Sequence, residues 1–180
     1  REIAVLADKG CAIIHNPTGN AFFSGDVAHL PEMLDAGGTI GLGTDSLLNG
    51  MFHAMSGVAL FHKLMPRAQR FLSPEVPFRL ATEGSAAAYG MADKIGTLEA
   101  GKQADIIAVD LSGPECQPLY NPLSQLVYAC NGSQVSHSWV AGASVLKEGV
   151  PAHINIKDLL ARTAAWQEKI SSNDIAMPGS

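Results

Sequence analysis

The chain has 180 residues, 47% of them hydrophobic and 16% charged, with a formal net charge of −5; it can bury a core, and without a basic block it excludes nucleic acid and anionic membranes as main partners. No apolar run reaches the roughly 20 residues of a membrane helix and no signal peptide opens the sequence, so a soluble cytoplasmic protein is expected. Cys11, Cys116 and Cys130 include no C-x-x-C pair, and the six histidines include no H-x-H or H-E-x-x-H, which excludes a disulfide framework, a zinc ribbon and a metal site built from one local motif.

In chain order, Ile3, Leu6, Ala7 and Gly10 follow the spacing of one helix face, and Gly10 stops that helix. Cys11–His15 is a short apolar run of the kind found in a strand covered on both faces. Asn16-Pro17-Thr18-Gly19-Asn20 reads as a loop, with Pro17 holding Asn16 extended. Asp26 is a suitable N-cap for a helix with Val27, Leu30 and Leu34 on its apolar face, closed by Gly37. Thr39 to Thr44 follows as a second buried strand. This order favours a βαβ unit with parallel strands, whose two polar loops, 16–20 and 45–49, emerge at one edge of the sheet.

Met51 to Leu64 is helix-compatible, with Phe52, Met55 and Ala59 on one side and the place of His62 on that face left open. Ser73-Pro74-Glu75 is a helix start, a capping serine followed by proline at the first helical position. Pro77 then conflicts with it, since it lies just past the tolerated position and costs a hydrogen bond. After Gly96 the character changes. Ala104 to Asp110 reads as a mostly buried strand, and Gln134–Val140 with Ser144–Leu146 as a hairpin turning at Ala141-Gly142-Ala143. Between them Ser124 to Cys130 is a helix in preference to a strand. Lys157 to Ile170 is a final helix with Leu159, Thr163, Trp166 and Ile170 on one face, packing on the main body or on a partner subunit, and Ser171 to Ser180 is expected to fray.

One stretch organises the rest. Gly41-Leu42-Gly43-Thr44-Asp45-Ser46 ends an apolar run in glycines and a carboxylate, where a buried strand delivers Asp45 to the ligand-facing edge of an α/β sheet. On local sequence alone, a turn or helix-cap role for Asp45 is the commoner one.

Together with His15-Asn16-Pro17-Thr18-Gly19-Asn20, Pro31-Glu32-Met33-Leu34, Ala81-Thr82, and Ile95-Gly96-Thr97-Leu98-Glu99-Ala100-Gly101-Lys102-Gln103-Ala104-Asp105, this stretch resembles the amidohydrolase superfamily. The nearest branch is that of cytosine-deaminase-like enzymes, triazine chlorohydrolases and S-adenosylhomocysteine deaminases. Asn121 to Tyr128 and the Val140-Ala141-Gly142 turn resemble the C-terminal segment of the same branch.

The resemblance implies an α/β fold: the C-terminal portion of a metal-dependent hydrolase (β/α)8 TIM barrel plus part of a small β-sandwich composite domain. Residues 1–95 would supply the last barrel strands and helices, 96–155 the sandwich segment, and 156–180 a C-terminal helix and tail. It implies a divalent metal, zinc or else iron, that activates water against the carbon–nitrogen or carbon–chlorine bond of a small nitrogen-rich heterocycle. Asp45 would be a metal ligand and the catalytic proton acceptor. His15, Asn20, Ser46 and Asn49 are candidate substrate contacts, with structural roles for His15 and Asn20 kept open. His53 and His62 are read as helix-surface or packing residues, and His29, His137 and His153 as structural. Glu99 and Lys102 are read as a solvated pair.

The family's H-x-H pair and its two further histidines have no counterpart after Arg1, and a whole barrel needs about 250 residues. The chain is therefore expected to be the C-terminal part of such an enzyme. The alternative is a non-catalytic module, or a partial subunit completed by another chain. Exposed strand edges favour a homo-oligomer.

Overall fold

The computed structural model describes residues 2–45, 50–64 and 73–172. Helix α1 (Glu2–Asp8) leads into β1 (Ala12–His15), which pairs in parallel with β2 (Thr39–Leu42), Ala12 opposite Thr39 and His15 opposite Leu42. The parallel βαβ reading holds because the intervening chain is helical, as a crossover requires.

That crossover differs from the expectation in two places. Asn16 (φ −114°, ψ 80°) is neither helical nor fully extended, and residues 17–20 are no loop: Pro17 opens α2 (Pro17–Ser24). Proline lacks only an N–H that the first helical position leaves unpaired, and its fixed φ is already helical. The next helix, α3, runs Leu30–Asp35 behind His29 rather than starting at Asp26, whose carboxylate accepts the Val27 N–H at 2.7 Å. Pro31 sets this start, because a helix begun at Val27 would place the proline beyond the first turn. The expected closure at Gly37 is present, with Gly37 N–H on Leu34 O at 2.9 Å and Gly38 N–H on Met33 O at 3.0 Å.

Helix α4 (Met51–Phe61) continues as one 3-10 turn, His62–Leu64. Helix α5 (Glu75–Arg79) begins one residue later than expected, which resolves the Pro77 conflict. Pro77 falls in the first turn, where the missing N–H has no intrahelical partner to lose. A π turn, Leu80–Gly84, joins α5 to α6 (Ser85–Ala88). It brings Ser85 onto β2, where its Oγ accepts the Leu42 N–H at 3.0 Å and lies 2.8 Å from the Leu80 carbonyl. A hydroxyl thus serves the backbone of β2 on the edge away from β1.

The core lies between β2, α3, α4, the π turn and a later helix, α7 (Pro122–Tyr128). Val58 and Val127 are fully buried at its centre, with Leu30, Ile40, Leu42 and Met55 around them. The strand β1 is less covered than expected, with Ile14 40% exposed, because β2 is its only strand neighbour among the described residues.

The second half is a four-stranded antiparallel sheet in the order β3 (Ile106–Val109), β4 (Val135–Val140), β5 (Ala143–Lys147), β6 (Val150–Pro151). The expected hairpin is present. Ala141 (φ 48°) and Gly142 (φ 82°) turn between β4 and β5, and the Asp105 carboxylate accepts the Ala141 N–H. The strand β3 is not mostly buried: it is an edge strand and Ile107 is 52% exposed. Helix α7 confirms the helical reading of 124–130, its start capped by Asn121 accepting the Ser124 N–H at 3.0 Å.

Lys102 also departs from the solvated pair. Its Nζ donates to Ala92 O at 2.8 Å and Thr97 Oγ1 at 2.6 Å, while Glu99 stands 3.9 Å away, so Lys102 ties the turns of 92–102 together. Cys116 and Cys130 are buried and Cys11 exposed, all three free. The last helix, α8 (Ile156–Ser171), is exposed along its whole length.

Candidate functional site

The carboxyl ends of β1 and β2 meet where Gly43 N–H bonds the His15 carbonyl at 2.9 Å. The approach is close enough to require glycine: a Cβ on Gly43 would collide with Asn16 Oδ1 and lie 2.7 Å from Ile14 Cγ2. Two residues on, Asp45 takes a left-handed backbone (φ 55°), a conformation that aspartate tolerates better than most side chains. Its carboxylate lies against the first turn of α2, so that a methyl group on Gly19 would come within 2.7 Å of Asp45 Oδ2. The amino end of a helix is a favourable place for a carboxylate. Asp45 itself is exposed.

Behind this edge lies a feature that the sequence reading missed. His15, 3% exposed, meets His62, which is fully buried, with the two Nε2 atoms 3.1 Å apart and the ring centroids at 5.2 Å. His62 is therefore inside, pairing the carboxyl end of β1 with the carboxyl end of α4, and is not a helix-surface residue. A signal was present: His62 follows Val58 and Ala59, both fully buried, at the spacing of one helix face. Burial lowers the His15 pKa from 6.5 to about 4, with His62 adding to the effect. Burial also lowers that of His62, opposed by the charge of Glu32. Both rings are neutral near pH 7.

The remaining candidates are more dispersed. Asn20 is exposed within α2, its N–H on the Asn16 carbonyl at 2.9 Å and its carbonyl accepting Ser24 Oγ at 2.6 Å. Ser46 and Asn49 lie outside the described residues. An apolar hollow of about 670 Å³ between α4, the π turn and β3 contains none of the candidates.

Among the described residues no three His, Cys, Asp or Glu side chains come together as a metal site would require. The His15 and His62 Nε2 atoms are committed to each other. These residues do not by themselves fit a metal ion; the edge offers one carboxylate, where a zinc site takes three or four protein ligands.

Comparison with known proteins gives a consistent picture. A 5-methylthioadenosine/S-adenosylhomocysteine deaminase of Teredinibacter turnerae is 35% identical over 175 residues, covering 95% of this chain and 40% of its own. A 5'-deoxyadenosine deaminase of Methanopyrus kandleri is 32% identical over 180 residues, covering 96% and 41%. Among solved structures, a zinc-bound adenosine deaminase of Xanthomonas campestris superposes with a TM-score of 0.89 at 32% identity, covering 95% of this chain and 40% of that one. The zinc complex of atrazine chlorohydrolase from Arthrobacter aurescens gives 0.82 at 30% identity, covering 91% and 37%. The chain thus spans about 40% of the length of the curated relatives it matches. Residues 1–145 match the amidohydrolase family, and the chain belongs to that family.

Proposed function

We propose that these 180 residues are the C-terminal part of a metal-dependent hydrolase that breaks a carbon–nitrogen bond, or a carbon–chlorine bond, of a purine, pyrimidine or triazine ring. Residues 1–95 contribute the last strands and helices of a (β/α)8 barrel, 96–155 part of a composite β-sandwich, and 156–180 a terminal helix and tail. Zinc, or else iron, is held by donors outside this chain together with Asp45, and Asp45 accepts the proton of the attacking water. His15, Asn20, Ser46 and Asn49 contact the substrate.

The observation that carries this reading is the placement of Asp45. Its carboxylate stands at the carboxyl edge of a parallel βαβ unit, against the first turn of α2, where open α/β sheets bind ligands. The fold that carries it is similar to that of an adenosine deaminase and of an atrazine chlorohydrolase, each solved with zinc. The rival, a non-catalytic module, has no comparable support in the relatives' names.

The test is a substrate panel applied to the complete polypeptide that carries this chain: 5'-substituted adenosines with ammonia release as the readout, and chlorotriazines with chloride release. One class should be turned over, and Asp45→Asn should lower kcat/KM by about 10³-fold, the scale of a lost general base. Folded, metal-loaded protein that releases neither product would favour the non-catalytic reading.

A further inference from the structure

The strands β1 and β2 pair through alternate residues. In a parallel ladder one residue turns both its N–H and its C=O to the same neighbour, and the next residue turns them to the opposite side. Gly43 N–H on the His15 carbonyl at 2.9 Å places the backbone groups of Gly43, and of Gly41 two residues earlier, on the side that faces β1. Ile40 and Leu42 therefore present theirs to the outer edge of β2, where the next strand of a larger sheet would pair.

That edge is already taken. The Leu42 N–H has a single hydrogen, and it is donated to Ser85 Oγ at 3.0 Å; the Leu42 carbonyl lies 3.3 Å from the same oxygen. At Ile40 the π turn comes so close that a Cβ on Gly84 would collide with the carbonyl oxygen. The i+5 bonding of the π turn is what brings Ser85 there, since its N–H and its Oγ, the latter at 2.8 Å, both reach back to the Leu80 carbonyl. One hydroxyl thus accepts from β2 and donates to the turn, which fastens the turn along the strand edge. The outer edge of β1 is different. By the same alternation Ala12 and Ile14 direct their backbone groups away from β2, no strand lies beyond them among the described residues, and Ile14 is 40% exposed.

We infer that Ser85 takes the place of a neighbouring strand on β2, so that the sheet ends at β2 and is continued only from β1, by a further strand of the longer polypeptide. The chain spans about 40% of the length of its curated relatives, which leaves ample polypeptide to supply that strand. An open strand edge invites such pairing, because its N–H and C=O groups need partners once they are buried. In the barrel proposed above, on which this one consequence rests, β2 and the strand beyond it are joined through Ser85 and not by a backbone ladder at Ile40 and Leu42. The ring then has a seam beside the strand that delivers Asp45. The closure of the β2 edge depends on neither the barrel nor the reaction.

The experiment is amide hydrogen exchange at single-residue resolution on the complete polypeptide that carries this chain, wild type beside Ser85→Ala. Leu42 N–H should exchange about five- to tenfold faster in the variant, the ratio set by one hydrogen bond. Gly43 N–H, bonded to the His15 carbonyl on the other side, should keep its rate. An unchanged Leu42 rate in the folded variant overturns the inference, because another strand would then hold that N–H. Equal acceleration of Leu42 and Gly43 overturns it as well, since Ser85 would then support the whole strand and not its outer edge. Should Ser85→Ala fail to fold, the structure of the wild-type complete polypeptide decides: a strand bonded to Ile14 with none on Leu42 supports the inference, and a strand bonded to Leu42 overturns it. A silent substrate panel with the expected exchange pattern present would count against the proposed function alone.

Discussion

The Nε2 atoms of His15 and His62 lie 3.1 Å apart, joining the carboxyl ends of β1 and α4, which are 47 residues apart in sequence. Two imidazoles in this contact cannot both be protonated without placing two positive charges side by side away from water. The low pKa of His15, about 4 against 6.5, comes first from burial and then from His62 beside it.

A pH dependence of stability follows. In the unfolded chain His15 takes up a proton as the pH falls through 6.5, while in the folded chain it does so only near pH 4. Between those values the unfolded state binds more protons, so stability falls as the pH drops. The full difference is worth about 3 kcal/mol for this residue, and the lowered pKa of His62 acts in the same direction. Urea unfolding at a series of pH values should show the midpoint falling steadily from pH 6.5 to 4. His15→Gln should flatten that slope.

Gly43 supplies a steric prediction. Because a Cβ there meets Asn16 Oδ1 and Ile14 Cγ2 at the junction of the two strands, Gly43→Ala should destabilise by about 1–3 kcal/mol, the range for overpacking. Thermal unfolding measures it. A variant as stable as the parent would show that the strands separate at no cost.

Lys102 and Glu99 separate two views of one pair. Lys102 donates to Ala92 O and Thr97 Oγ1 and its side chain is 16% exposed, whereas that of Glu99 is 62% exposed and its oxygen lies 3.9 Å from Nζ. Lys102→Met should cost about 2 kcal/mol, since charged hydrogen bonds contribute more than neutral ones. Glu99→Gln should stay within about 0.5 kcal/mol, as for most surface changes. Equal losses in the two variants would restore the reading as a simple ion pair.

The sequence made some features legible and hid others for identifiable reasons. The parallel pairing of β1 and β2 was readable from two short apolar runs separated by helix-forming chain. The hairpin at Ala141-Gly142 was readable from its turn residues. The start of α2 was hidden because Pro17 is compatible with a loop or with a first helical position, and only packing decides between them. The same ambiguity moved the start of α3 from Asp26 to Leu30, this time through Pro31. The position of Asp45 at the strand edge could be inferred from glycines and a carboxylate. The His15–His62 pair could not, because a contact across 47 residues leaves no local pattern beyond helix spacing.

The central claim is that Asp45 contributes one ligand to a metal site whose other donors lie outside this chain. Elemental analysis of the complete polypeptide, beside its Asp45→Ala variant and the 180-residue chain alone, tests it most directly. The account predicts about one zinc or iron per complete polypeptide, as a catalytic metal centre holds, with most of it lost in Asp45→Ala and none bound by the chain alone. Undiminished metal in a folded Asp45→Ala protein would contradict it.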